Sequence, residues 1–280
     1  MAENKYIDTH THVNLSAFDA DRDEVLARAK SAGVSMLNIG TKLSTSEKAV
    51  AIARAHEHAY AVVGLHPVQT VPGLHDEEEV GEGGKSFVSK GEVFDYDTYK
   101  TLAQDSRVVA IGECGLDYFH TTPESEAAQR EAFVTQIHLA NELGKPLMLH
   151  IRNGKDTGKN AYKDVADILK SEAKVQGNAH FFSGSVDDAR LYLDMGFSVS
   201  FTGVVTFTRD YDEVVRFVPA DMIHAETDAP YVSPKPYRGQ RNEPRHVIEV
   251  AQKLAEIRGV DPEQFREQLL QNAKKLYGLK

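Results

Sequence analysis

One cysteine, Cys114, and no tryptophan occur in the 280 residues. A lone thiol excludes an intramolecular disulfide and suits a reducing compartment. The opening "MAENKYID" lacks a basic segment followed by an apolar run, so no signal peptide is expected, and a cytoplasmic location is. No stretch approaches the roughly 20 consecutive apolar residues of a membrane span, which excludes a membrane partner of that kind. Positive charge is also scarce. Thirty-two basic residues stand against 42 acidic ones, a formal charge of −10. Proteins that coat duplex nucleic acid need a basic face against the phosphates. Action on nucleic acid would therefore require the positive charge to be gathered in one cleft.

What is present is a rhythm. Short apolar runs ("KYIDTH", "VSMLNIGT", "YAVVGLHP", "RVVAIGECG", "KPLMLHIR", "GNAHFFSG", "FSVSFTG", "MIHAETDAP") alternate with stretches of helical spacing such as "EAAQREAFVTQIHLANELGK". Helical patterns stop at Gly33 and at Gly144-Lys145-Pro146, and Asp261-Pro262 opens a closing helix. Strand–helix alternation repeated eight times predicts an α/β fold, a single (β/α)8 TIM barrel over residues 1–280, with an open doubly wound sheet as the alternative. One segment interrupts the rhythm. The acidic, glycine-rich run at about 74–94 reads as an inserted surface loop between the third strand and its helix.

His10 and His12 end the first strand one residue apart, so alternation points both the same way, toward the mouth where such barrels build their sites. Glu113, His150, His180 and Asp228 likewise sit at or near the C-terminal ends of other strands. Six ionisable groups converging on one rim would be costly without cations. A catalytic zinc typically takes three protein ligands, so this count suggests two metals. Glu113, midway through the strand order, is the candidate bridge, because a carboxylate can offer one oxygen to each ion.

Taken with "VGLHP", "IGECGLDY", "LHIR", "ETDAPY" and "RGQRNEP", these segments resemble the TatD family of metal-dependent deoxyribonucleases from residue 7 to residue 244. The resemblance implies that His10, His12 and Asp228 hold one ion, His150 and His180 the other, with Glu113 shared. Asp228 would also orient or deprotonate the attacking water. His66 looks like the family's substrate-side histidine. Two departures stand out: Phe181, where a small residue or cysteine is common, and the length of the acidic insertion. Imidazole-rich ligation suits Zn²⁺, Mn²⁺ or Co²⁺, while the resemblance implies that Mg²⁺ or Mn²⁺ supports DNA cleavage.

Arg152 shares a face with His150 and is expected to meet a phosphate. Asp117 and Glu226 are expected to fix imidazole tautomers from behind the ligands. Asn242 either touches substrate or caps the next helix. Lys155, Lys159, Arg209, Lys235, Arg238 and Arg241 would give a local positive rim, and Tyr118, Phe119, Tyr231 and Tyr237 stacking faces for bases. The expected activity is hydrolysis of DNA phosphodiester bonds by a monomeric exonuclease acting on single-stranded or frayed ends. Two alternatives remain: a small-molecule amidohydrolase or phosphoesterase using the same two-metal centre, and a barrel that only binds a partner.

Overall fold

A computed structural model describes residues 5–75, 87–119, 122–155 and 158–279. The first strands are β1 (Tyr6–Thr11), β2 (Val34–Ile39) and β3 (Ala59–Val63), followed by the short pair β4 (Pro72–His75) and β5 (Phe87–Lys90). Then come β6 (Val108–Asp117), β7 (Leu147–Arg152), β8 (Gly177–Ala179), β9 (Ser198–Phe201) and β10 (Ile223–Ala225). Leaving β4 and β5 aside, the other eight form one sheet in the order β1-β2-β3-β6-β7-β8-β9-β10, all neighbours parallel. Its two ends meet where Thr11 bridges Ala229, the His12 N–H donates to the Ala229 carbonyl (2.8 Å) and the Asp228 N–H to that of His10 (2.9 Å). The fold is a TIM barrel.

Between the strands run α1 (Arg22–Ser31), α2 (Leu43–Ala55), α3 (Tyr96–Ala103), α4 (Pro123–Leu143), α5 (Ala161–Glu172), α6 (Val186–Leu193) and α7 (Asp212–Phe217). The chain closes with α8 (Val247–Arg258) and α9 (Pro262–Tyr277). The helix ends follow their residues. In α4 the Thr122 hydroxyl caps Ser125, and Gly144 stops the helix at φ 62°. In α9 the Asp261 carboxylate accepts the Gln264 N–H at 2.9 Å, with Pro262 at the first position. No helix among the described residues is long and apolar enough to cross a membrane.

Two apolar clusters result. The larger lies between sheet and helices. The smaller joins Ile7, Leu37, Ile39, Val62 and Met148 to Leu270, Ala273 and Tyr277 of α9. Each fully buried Leu or Ile contributes about 1.5–3 kcal/mol. With α9 filling the N-terminal end in this way, the polar residues gather at the other end.

The insertion differs from the expected featureless loop. Its arms β4 and β5 pair antiparallel, Pro72 opposite Lys90 and His75 opposite Phe87. Arms of four residues carry too little alternation to be read as strands. The acidic residues 76–86 between them lie outside the described residues.

Candidate metal centre

Glu113 reaches the mouth through a local irregularity in its strand. β6 runs on to Asp117 rather than ending at Glu113, and its register against β7 shifts there, with Gly112 opposite Met148 but Cys114 opposite Leu149. Glu113 is thus the extra residue of a bulge, a device that re-aims a side chain. Both flanking glycines are required. Gly112 and Gly115 have φ of 145° and 141°, and a Cβ on them would stand 2.3 Å from the Met148 carbonyl and 2.1 Å from that of His150. β1 also shifts register between Asp8 and Thr11, around His10. Asp228 follows β10 at φ 54°, a left-handed conformation in which its N–H reaches back to β1.

Around Glu113 the donors fall into two groups. His10 Nε2 and His12 Nε2 lie 3.1 Å apart, and Glu113 Oε2 is 3.5 and 3.8 Å from them. Asp228 Oδ1 joins them at 3.7 and 3.3 Å. On the other side, Glu113 Oε1 meets His180 Nε2 at 2.7 Å, His150 Nδ1 at 3.0 Å and His66 Nε2 at 3.3 Å. All are buried except His150, which is half-buried.

Residues behind the donors hold them in place. His12 Nδ1 faces the Ile39 carbonyl at 3.1 Å, so it carries the hydrogen and Nε2 presents a lone pair. Asp117 Oδ2 takes His150 Nε2 at 2.8 Å, and Glu226 Oε1 lies 3.4 Å from His180 Nδ1. Glu226 is itself gripped by the Phe181 N–H (2.7 Å) and the Ser200 hydroxyl (2.5 Å). From Ser200 a buried polar column continues through Asn178 (2.7 Å) and Ser198 (3.1 Å) to His224 Nε2 (3.0 Å). The donor set fits cations. Lone pairs and carboxylate oxygens converge within 3.1–3.8 Å in the first group, and buried His10 Nδ1 has no partner that would turn the ring elsewhere.

Burial penalises charge throughout this cluster, yet charge persists. Desolvation alone would raise Glu113, but His180, His66 and His10 outweigh it and hold the carboxylate well below its usual range. His180 is pushed well above the ordinary imidazole value against burial, by Glu113 and Glu226. His12 and His150 also rise despite burial, through Asp228 and Asp117 respectively. His10 falls to about 3 through burial and then His180, while His66 falls through burial and then His150. Asp117 drops to about 2, its burial overridden by His150.

The other expected residues divide. Arg152 and Lys155 lie over the Phe119 ring, at 4.0 and 4.8 Å, beside the second donor group. Tyr118 offers no stacking face: it is buried, donating to Asp164 (2.7 Å) and accepting from Arg130 (2.9 Å). Arg241 is tied to Asp21 at 2.8 and 2.6 Å, away from a rim role. Asn242 is fully buried and neither faces substrate nor starts a helix. Its amide holds the Thr227 and Tyr231 carbonyls (2.9 and 2.7 Å), fixing the turn that carries Asp228. Two residues escaped sequence reasoning. His246 is buried, bonded to Asn242 (2.9 Å) and stacked on Tyr237 (3.9 Å). Asp8 accepts the Thr227 N–H and hydroxyl, and its place two residues before His10 was the available signal.

Fold and donors together define a TIM barrel whose mouth gathers side chains able to bind metal, the arrangement of metal-dependent hydrolases. A family model described as TatD related DNase matches residues 7–278. YabD of Bacillus subtilis, called an uncharacterized metal-dependent hydrolase, is 35% identical over 275 residues, covering 96% of this chain and 98% of its own. The 3′-5′ ssDNA/RNA exonuclease TatD of Cronobacter sakazakii is 34% identical over 278 residues, with 96% and 97% covered. Among solved structures, the TatD homolog YJJV of Escherichia coli K12 superposes with a TM-score of 0.82 at 26% identity, 99% of each chain covered. The chain belongs to the TatD-related DNase family of metal-dependent hydrolases.

Proposed function

We propose that residues 1–280 act as one barrel domain, a monomeric cytoplasmic enzyme that hydrolyses nucleic-acid phosphodiester bonds with two divalent cations, from a single-stranded or frayed end. The observation that carries this reading is the division of Glu113, with one oxygen among His10, His12 and Asp228 and the other among His150, His180 and His66. His10, His12, Glu113 and Asp228 would hold one ion; Glu113, His150 and His180 the other. Mg²⁺ or Mn²⁺ would serve activity, with Zn²⁺ a fitting bound ion. Cations bound there supply positive charge for the phosphate oxygens and acidify water at neutral pH. Relatives named 3′-5′ ssDNA/RNA exonucleases support the substrate class.

The chain's own groups take complementary parts. Asp228 faces the first donor group and would orient the attacking water and accept its proton. His66 differs from its neighbours: its Nδ1 accepts the Val68 N–H at 3.2 Å, which leaves the hydrogen on Nε2, aimed into the site. That tautomer donates, so His66 suits a phosphate oxygen rather than an ion. Arg152 and Lys155 over Phe119 would meet a neighbouring phosphate and base. The Phe119 N–H bonds Asp117 Oδ1 at 2.9 Å, tying that platform to His150.

The test uses metal-stripped protein re-supplied separately with Mg²⁺, Mn²⁺ or Zn²⁺ and end-labelled single-stranded DNA and RNA, with Glu113→Ala as control. Metal-dependent laddering from one end, absent in the variant, is expected. Two ions bound per chain with both strands left intact would overturn the reading and direct attention to esters, lactones and amides.

A further inference from the structure

A second aromatic–arginine pair stands at the mouth, unused by the chemistry above. Phe207 is 37% exposed, whereas Tyr118, Phe119, Tyr231 and Tyr237 are buried or half-buried. Arg238 lies over its ring, 4.0 Å from the centroid, and donates to the Ser233 carbonyl at 3.2 Å. Other arginine–ring pairs, Arg241 on Phe18 and Arg258 on Phe265, use rings already buried in the core.

The two loops that carry Phe207 and Arg238 leave β9 and β10 and are locked together. Gly203 packs so closely that a Cβ there would come 2.4 Å from the Val232 carbonyl, and the Lys235 N–H donates to the Thr206 hydroxyl at 2.9 Å. The second loop begins at Asp228, so the pair is geared to the donor group rather than hung on a free strap. Lys235 is exposed, while the nearby carboxylates serve their own segment, Asp212 pairing Arg209 (3.4 Å) and Asp210 accepting the Thr208 hydroxyl (2.6 Å). In barrel order, this pair and the Phe119 platform lie on either side of β8, the strand that leads into His180.

We propose that Phe207 and Arg238 form a stacking subsite for one base of a single-stranded nucleic acid, at least one nucleotide removed from the bond being cut. The inference rests on the nucleic-acid reading above. A ring and a guanidinium plane accept any base face, so the subsite adds affinity without sequence preference. A strand held there and at Phe119 would cross the mouth over the donors.

The absence of native tryptophan makes Phe207→Trp a unique reporter. Its fluorescence is expected to be quenched by oligo(dT) added to the metal-stripped protein, a readout that needs no turnover. In the metal-loaded enzyme, Phe207→Leu keeps an apolar side chain but loses the aromatic face. Its kcat/KM relative to wild type is expected to fall as the oligonucleotide is lengthened, by about tenfold at full length and mainly through KM, with Phe207→Trp restoring the value. Unchanged fluorescence of Phe207→Trp on adding oligo(dT), or a Phe207→Leu to wild-type ratio equal at every length, overturns the subsite while leaving the nuclease reading intact. Wild type that cuts no nucleic acid with any of the metals overturns the nuclease reading instead.

Discussion

Asp8 and Thr227 meet twice across the seam of the barrel: Oδ1 accepts the Thr227 N–H at 2.8 Å and Oδ2 its hydroxyl at 2.5 Å. Asp8 lies on the first strand, two residues before His10, and Thr227 directly precedes Asp228. One buried carboxylate thus sets the spacing of two donors that are far apart in sequence. Asp8→Ala leaves the Thr227 N–H and hydroxyl hydrogen without their acceptors and is expected to destabilise the fold by about 1–3 kcal/mol. Asp8→Asn, which keeps one acceptor, should cost less. Urea midpoints of the stripped proteins, with bound metal counted by mass spectrometry, read both effects. Equal midpoints for wild type and Asp8→Ala would remove Asp8 from this role.

The His66 tautomer makes a prediction that separates donor from ligand. His66→Ala should keep two ions per chain while kcat falls about 10²–10³-fold, the usual loss for one donor to developing charge. His66→Gln, which retains an N–H, should recover part of that. Loss of an ion in His66→Ala, measured by mass spectrometry, would instead make His66 a ligand.

Gly115 is the tightest point of the centre. A methyl there would stand 2.1 Å from the His150 carbonyl, at a φ of 141° that side chains rarely adopt. Gly115→Ala should therefore cost about 3 kcal/mol through strain and overpacking combined, and displace β7 with His150. Chemical denaturation checks the first effect and ion stoichiometry the second; a variant as stable as wild type and loaded with two ions contradicts both.

A pH effect follows from the tie between α1 and the loop after Asp228. Arg28 donates to both oxygens of Glu243 at 2.9 and 2.8 Å. Burial alone would raise Glu243, but the Arg28 hydrogen bond and charge hold its pKa below the ordinary value. A depressed carboxylate stabilises the fold above its unfolded pKa of about 4.3, and the contribution disappears as pH falls through the folded value. Wild type should exceed Glu243→Gln by about 1 kcal/mol at pH 7, allowing for solvent at the half-open Arg28, with the gap closing below about pH 4. Urea midpoints across that range test it; a gap independent of pH would show that charge is not the cause.

The barrel could be read from the sequence because its strands are short apolar runs separated by helices that stop at Gly or Gly-Lys-Pro. Glu113, His150, His180 and Asp228 stood out because ionisable groups at the ends of such runs are hard to explain as core. Less could be read where a long-range partner decides the role. Asn242 looked like a loop residue until Thr227 and Tyr231 were brought to it, and His246 carried no sign that Tyr237 would cover it. Tyr118 resembled a stacking face because sequence cannot show that Asp164 and Arg130 hold its hydroxyl. The bulge at Glu113 was written in its flanking glycines, although only the approach of β7 shows why both are needed.

The column Glu226–Ser200–Asn178–Ser198–His224 runs from behind His180 toward Tyr277 of α9, whose ring lies 6.1 Å from that of His224. A lesion at the closed end of the barrel can therefore be felt at its open end. Substitutions at Ser198 or His224, remote from the donors, are therefore expected to disturb the hold of Glu226 behind His180, and distance from the site is a poor guide to which positions the barrel can spare.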